Sequence, residues 1–157
     1  MKPSIGITTD HLASVSHALS TILADEFVLY AKTRSAHWNV EGADFYSKHI
    51  FFEKQYEELD EIMDEVAERI RMLGHYAPAK LHEYLELTHL TEQSRAQNSS
   101  EDFITLLLKD HETVIIHLRE NINYFSNELN DSGTSDFITG LMEKHEKMAW
   151  MLRSHIK

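Results

Sequence analysis

Residues 37–68 read HWNVEGADFYSKHIFFEKQYEELDEIMDEVAE. Two histidines, His37 and His49, lie near the beginning of this stretch, and two acids, Asp64 and Glu68, lie near its end. Between them, apolar residues recur every three or four positions, and this spacing predicts a long amphipathic helix with the acids beside its apolar stripe. We therefore expect one helix that carries candidate metal ligands at both ends.

The rest of the chain predicts three more long helices, because it contains only two prolines and five glycines. Apolar residues at helical spacing place these helices from about residue 10 to 37, from about 100 to 127, and from about 135 to 152. Gly74 is expected to end the second helix. The expected helix caps are Thr9 or Asp10, Asp44, Ser99 or Ser100, and Thr134 or Ser135.

The segment between residues 75 and 99 differs from the long helices and reads as a crossover connection. Within it, Pro78 can begin a short helix that ends at Leu85 and makes apolar contacts through Leu81 and Leu85. Four long helices with one long crossover in the middle predict an all-α, ferritin-like four-helix bundle with a short extra helix in the crossover. We expect a single domain over residues 1–157, with a short flexible segment at 1–8.

The chain carries 15 Lys and Arg against 26 Asp and Glu, which gives a formal net charge of −11. This balance disfavours broad attraction to nucleic acid or anionic lipid and favours attraction of cations. The lack of cysteine excludes disulfides, thiolate metal sites and cysteine nucleophiles. No stretch approaches the roughly 18 consecutive apolar residues of a membrane span, and none resembles a signal peptide, so we expect a soluble cytoplasmic protein.

The acids and histidines of the second helix are too far apart to bind one ion within one chain. Asp64 lies about 16 Å beyond Glu53 along the helix axis, whereas every ligand must lie within about 2 to 2.5 Å of its metal ion. If two copies of the helix pack antiparallel, His49 and Glu53 of one chain become level with the two acids at the end of the other. Two identical sites result from this two-fold arrangement.

His37 joins the same cluster, because it lies about as far before the loop at 39–44 as His49 lies after it. Two imidazoles with two or three carboxylates suit iron(II) or a similar first-row metal better than calcium or a structural zinc ion. Two simpler interpretations remain open. The acids can form a solvated helix face, and a histidine near a helix end can have a structural role.

Other metal motifs fit the sequence poorly. The segment HETVIIH at 111–117 has the wrong histidine spacing for a zinc-protease helix. A di-iron site inside one bundle needs Glu-x-x-His on two helices, and the motif occurs only once, from Glu86 to His89 in the crossover. A site within one subunit is therefore unsupported. His75, His82 and His89 recur at seven-residue spacing, and the sequence offers no function for them.

The residues of the opening stretch resemble a known family. The Dps miniferritins, DNA-binding proteins from starved cells, have a signature that is similar to HWNV at 37–40, Gly42, Phe45, His49, Asp64 and AER at 67–69. Helix order and length extend the resemblance across nearly the whole chain. Trp150, late in the last helix, is also similar.

The resemblance implies a hollow homo-dodecamer that oxidises iron(II), with hydrogen peroxide as the preferred oxidant over dioxygen, and stores iron(III) as a mineral. Its ferroxidase sites form at two-fold interfaces and can hold two iron ions each. By matching position, Asp64 and Glu68 hold iron from one subunit, while His37 and His49 approach it from the partner. Glu53 stands where the family usually has Asp, so direct and indirect metal binding both stay open, and zinc is a candidate competitor.

The resemblance also suggests roles for residues around the site. Trp38, beside His37, is a candidate redox neighbour, and packing in the subunit interface is the favoured alternative. Glu128, Asp131 and Asp136 are candidates for acidic pores that admit cations at three-fold axes. The alternative for these three acids is a solvated loop.

The terminal segments of the chain carry fewer positive charges than those of family members that bind DNA. Lys2 alone precedes the first helix, and Arg153 and Lys157 close the chain, whereas members that bind DNA strongly usually carry lysine-rich tails. Weak or absent DNA binding is therefore expected. Three hypotheses result: a ferroxidase and iron-storage shell, a DNA-coating nucleoid protein in which iron oxidation is secondary, and a metal-free bundle with a polar interface.

Overall fold

The computed structural model describes residues 3–92 and 98–156, and the regular secondary structure within them is helical. The helices are α1 (Thr9–Asn39), α2 (Phe45–Met72), the short α3 (Leu81–Leu87), α4 (Ser100–Asn123) and α5 (Ser132–Arg153). A π-helical turn at Tyr124–Glu128 follows α4 directly. Gly74 has a φ of 85° and ends α2 as predicted. The fold is the predicted all-α, ferritin-like four-helix bundle with a short helix in its crossover.

The four long helices pack as two hairpins, α1 with α2 and α4 with α5, whose apolar stripes meet in one core. Burial of this apolar surface is the main stabilising contribution, at roughly 25 cal/mol per Å². α1 is long and apolar enough to cross a membrane by composition alone, but 61% of its most apolar window is buried inside the chain. Fully buried side chains include Leu19, Leu29, Phe52, Leu59, Ile62, Phe103, Leu107, Leu118 and Ile138.

The helix starts follow capping chemistry, partly at residues other than those predicted. Thr8 caps α1, one or two residues before the predicted position, and its hydroxyl accepts the His11 N–H at 3.3 Å. Ser99 caps α4 as predicted. Asp44 occupies the cap position of α2, but its carboxylate accepts the Ser100 hydroxyl at 2.8 Å instead of a helix N–H. Asp44 therefore joins the starts of α2 and α4.

The prediction for the start of α5 is wrong. Asp131, rather than Thr134 or Ser135, caps this helix, and its carboxylate accepts the Thr134 N–H at 2.9 Å and the Thr134 hydroxyl at 2.5 Å. Arg69 of α2 donates to the same hydroxyl oxygen at 2.9 Å. Because Thr134 is occupied by these two partners, it lies inside the first turn of α5 and the helix begins earlier.

The crossover helix packs through a side chain that differs from those predicted. It begins at Leu81 rather than at Pro78, and Leu81 and Leu85 are 67% and 50% exposed. Tyr84 is the buried contact instead. Its ring stacks on Phe27 of α1 with the centroids 4.5 Å apart, and its hydroxyl donates to the Pro78 carbonyl at 2.7 Å. A short helix that packs on one side of α1 buries only the side chains that face α1. In this helix, the buried side chain is the tyrosine ring.

Candidate metal centre

His37 and His49 meet face to face at one end of the α1–α2 hairpin. Their ring centroids lie 3.7 Å apart, and their planes differ by 22°. His37 Nδ1 lies 2.8 Å from the carbonyl oxygen of His49, and His49 Nδ1 lies 2.8 Å from the carbonyl oxygen of His37. The two rings therefore lie at the same height on adjacent helices, as the spacing around the loop predicts.

The reciprocal bonds determine which nitrogen of each ring is available to a metal ion. A carbonyl oxygen only accepts, so each Nδ1 carries the hydrogen and donates. In a neutral imidazole, Nε2 then keeps its lone pair, and the bond at Nδ1 fixes the ring orientation. His37 is 7% exposed, so packing also holds its ring. The pair is thus prepared to offer two Nε2 ligands.

Glu53 lies one turn beyond His49 and contacts a tyrosine beside the histidine pair. The Tyr56 hydroxyl donates to Glu53 Oε1 at 3.3 Å, and the Tyr56 ring packs edge-on against His37 with the centroids 5.2 Å apart. Desolvation and the Glu53 carboxylate raise the pKa of Tyr56 above its usual value of 10.0, so the hydroxyl keeps its proton. The Arg34 guanidinium lies 4.3 Å from the Tyr56 ring centroid and places a positive charge over that ring.

Asp64 and Glu68 lie farther along α2, on its exposed surface. Within the described part of the chain, neither carboxylate makes a hydrogen bond or an ion pair, whereas neighbouring Glu65 pairs with Lys144 at 3.2 Å. Among the described residues, no three His, Asp or Glu side chains of one chain come together as a metal-binding group. One subunit therefore has its histidine pair at one end of α2 and its two unpaired acids farther along.

Trp38 is 61% exposed, and the Arg34 guanidinium lies 5.0 Å from its ring centroid. Among the pore candidates, Glu128 and Asp136 are exposed. Asp131 is only 2% exposed, and its carboxylate caps α5. Its carboxylate oxygens are therefore occupied inside the subunit, and the pore role of Asp131 stays a prediction.

A buried polar network in the bundle core was missed by the sequence reasoning. Glu26, His111 and His145 have no exposed surface. His145 Nε2 lies 2.9 Å from Glu26 Oε1, and His145 Nδ1 lies 2.9 Å from His111 Nδ1. Burial, with His145 as a further cause, holds the pKa of His111 well below its usual value of 6.5. The position of His145 in the sequence could have indicated its burial, because His145 interrupts an apolar stripe between Leu141 and Met148.

Comparison with known proteins agrees with this architecture. The family model for the ferritin-like domain matches residues 16–157. A low temperature-induced protein of Nostoc sp. is 41% identical over 154 residues, which cover 98% of this chain and 86% of that protein. The DNA protection during starvation protein of Helicobacter pylori is 33% identical over 141 residues, which cover 88% of this chain and 95% of that protein.

A solved structure shows the same fold. The crystal structure of the Dps protein from Vibrio cholerae O1, described as a member of a broad superfamily of ferritin-like diiron-carboxylate proteins, is similar with a TM-score of 0.92. The sequence identity is 28%, and the match covers 99% of this chain and 97% of that one. From its fold and from matches along nearly its whole length, the chain belongs to the Dps miniferritin family of the ferritin-like superfamily.

Proposed function

We propose that this protein is a ferroxidase and iron-storage miniferritin whose iron sites form between two subunits. One observation carries the proposal: the α1–α2 hairpin holds two imidazoles with bonded Nδ1 atoms, His37 on α1 and His49 on α2, and α2 has two carboxylates farther along that have no partner among the described residues. His49 and Asp64 are separated by about 22 Å along the helix, and an antiparallel second copy brings such groups level. Membership in the Dps family supports iron storage and DNA protection as the general function.

In the proposed site, each subunit contributes one half. His37 and His49 of one subunit bind iron(II) through Nε2, and Asp64 and Glu68 of the partner bind it through carboxylate oxygens. Glu53 adds a carboxylate beside the histidine pair, where Tyr56 orients it. This donor set of imidazoles and carboxylates suits iron, and it also admits zinc as a competitor.

The site requires an oligomer, since one subunit holds only half of it. We propose a hollow, cytoplasmic homo-dodecamer in which each two-fold contact creates two identical sites. Trp38 lies next to His37 with its ring exposed, so it can pack against the partner subunit or give an electron to the site. Glu128, Asp131 and Asp136 stay the candidates for attracting cations to a pore, and Glu128 and Asp136 have exposed side chains.

Iron is the substrate of the proposed reaction. Carboxylates stabilise iron(III) more than iron(II), and this difference favours oxidation. Two iron(II) ions each lose one electron, and one hydrogen peroxide accepts both, so its O–O bond breaks to give two hydroxide ions. No hydroxyl radical is released when both electrons arrive together. Dioxygen is the alternative oxidant.

The test is an anaerobic titration of the purified oligomer with iron(II), followed by hydrogen peroxide. We expect the absorbance of iron(III) to develop with about two iron ions oxidised per peroxide consumed, as the electron balance requires. Spin trapping should detect much less hydroxyl radical than iron(II) and peroxide produce without protein. Equal radical yields with and without the protein would contradict the proposed chemistry.

The DNA-coating alternative makes a different prediction. With a formal net charge of −11, the oligomer is expected not to shift plasmid DNA at neutral pH and moderate salt. A gel-shift assay checks this expectation, with a variant that carries an added lysine-rich N-terminal extension as the positive control. Compaction of plasmid by the unmodified oligomer under these conditions would favour the DNA-coating function.

A further inference from the structure

His89 in the crossover and His117 on α4 form a second pair of stacked imidazoles. Their ring centroids lie 3.7 Å apart, and their planes differ by 14°. The side chains are 41% and 28% exposed, so solvent and dissolved ions reach the pair. The predicted iron site does not use either residue.

Each ring of this pair has a carboxylate at Nδ1. His89 Nδ1 lies 2.9 Å from Asp25 Oδ2, and His117 Nδ1 lies 3.3 Å from Glu120 Oε2. Asp25 is 2% exposed, and its Oδ1 accepts the His89 N–H and the Thr88 hydroxyl, both at 2.7 Å. Because a carboxylate only accepts, a neutral ring carries its hydrogen on Nδ1 and keeps a lone pair on Nε2.

A structural role explains only half of this arrangement. The bonds between Asp25 and His89 attach the crossover to α1, but they do not require an imidazole at position 117. Within the described residues, neither Nε2 atom has a hydrogen-bond partner. The same chain has a stacked pair with bonded Nδ1 atoms at His37 and His49. Metal-binding histidines commonly donate their other N–H to a carboxylate in this way.

We propose that His89 and His117 form a second metal site, separate from the site between subunits, which binds one divalent ion of the copper or zinc class through both Nε2 atoms. Imidazole nitrogen suits these ions, and water completes the coordination. The carboxylates of Asp25 and Glu120 accept the Nδ1 hydrogens, which fixes the orientation of the rings, and their negative charge offsets the charge of the ion.

Binding requires one ring to tilt, because parallel rings direct their lone pairs side by side rather than toward one point. Both nitrogens must come within about 2.0 to 2.1 Å of the ion. His117 is the ring that moves, since its partner Glu120 is 67% exposed and lies 3.3 Å away. Asp25 holds His89 in place through a buried carboxylate.

The test uses copper(II) as the probe, added to the metal-free, assembled protein, with binding followed by calorimetry and by electron paramagnetic resonance. His89→Phe and His117→Phe keep an aromatic ring in the stack and remove the ligand. Each variant is expected to bind one copper(II) ion fewer per chain than the unmodified protein. The electron paramagnetic resonance signal of a copper(II) ion with two nitrogen ligands should disappear at the same time. Asp25→Asn is expected to weaken this site about 10- to 100-fold.

His75→Phe and His82→Phe are the matched controls, because they remove histidines of the same seven-residue series outside the stacked pair. They are expected to keep the full copper(II) stoichiometry. Full stoichiometry in His117→Phe would overturn the proposal, as would loss of the same ion in the controls. The copper(II) titration contains no iron and no peroxide. Its outcome therefore does not depend on whether the iron-oxidation test succeeds.

Discussion

Oligomers built only from Asp64→Asn subunits are expected to oxidise iron(II) with hydrogen peroxide at least about tenfold more slowly than the unmodified oligomer. The substitution replaces an anionic ligand by a neutral amide, which binds iron more weakly and stabilises iron(III) less. Oligomers built only from His37→Asn subunits are expected to show a comparable loss, because the other half of every site is damaged. The initial rate of iron(III) formation at equal iron loading measures both effects.

Mixed oligomers distinguish a site between chains from a site within one chain. When an Asp64→Asn subunit pairs with a His37→Asn subunit, one of the two sites receives an intact histidine half and an intact acidic half. The other site receives neither. With equal mixing, about half of the pairs are mixed, so about a quarter of the original rate should return. A site within one chain predicts no recovery, because each chain then lacks one of its ligands.

The matched control for this experiment is Asp60→Asn. Asp60 is an exposed acid on the same helix, one turn before Asp64, and it is outside the proposed ligand set. Its variant should retain the full rate, and particle mass should confirm that every preparation assembles. If the mixed oligomers remain as slow as the two parents while assembling normally, the proposed division of ligands between chains is wrong.

Acidification below a pH of about 6.5 is expected to destabilise the fold through His111. Desolvation, with His145 as the second cause, lowers the pKa of His111 in the folded chain, so the buried ring stays neutral there. The unfolded chain takes up the proton at the usual histidine pKa. Above a pH of about 6.5, His111 therefore does not lower the free energy of unfolding. Below that pH, the free energy of unfolding falls by about 1.4 kcal/mol per pH unit for one proton, until the pH reaches the pKa of His111 in the folded chain.

Urea unfolding at fixed protein concentration, from neutral pH to pH 5, checks this expectation. His111→Gln keeps a hydrogen-bonding side chain next to His145 but does not titrate. The slope of its free energy of unfolding against pH should therefore be smaller by the contribution of about one proton. His17→Gln removes an exposed histidine and should leave the slope unchanged. His111→Leu provides a second non-titrating variant. If the slopes of both His111 variants equal that of the unmodified protein, His111 is not the responsible group.

The helices and their order were predictable because their signals are local. Apolar spacing, few prolines and glycines, and Gly74 with its positive φ act within one or two turns of the chain. The similar height of His37 and His49 on adjacent helices was also predictable, since a short loop between antiparallel helices brings equidistant residues level. The hydrogen bonds from each Nδ1 to a backbone carbonyl were not predictable, because the two partners of each bond lie twelve residues apart in the chain.

Competing local choices were decided by tertiary contacts. Both Asp131 and Thr134 can cap a helix, and the contact between Thr134 and Arg69 places Thr134 inside the first turn instead. In the crossover, leucine spacing suggested an apolar face, but the stacking of Tyr84 on Phe27 determined which side is buried. Such choices differ little in local energy, so a contact from another helix selects between them.

By itself, the sequence determined the four-helix architecture and the similar height of the two histidines, and it predicted that α2 cannot complete a metal site alone. These depend on helical rise and periodicity, which every residue of a helix shares. Only the tertiary structure revealed the buried Glu26–His145–His111 network and the stacked His89 and His117. Those side chains come from segments far apart in the chain, and their chemistry exists only after packing brings them together.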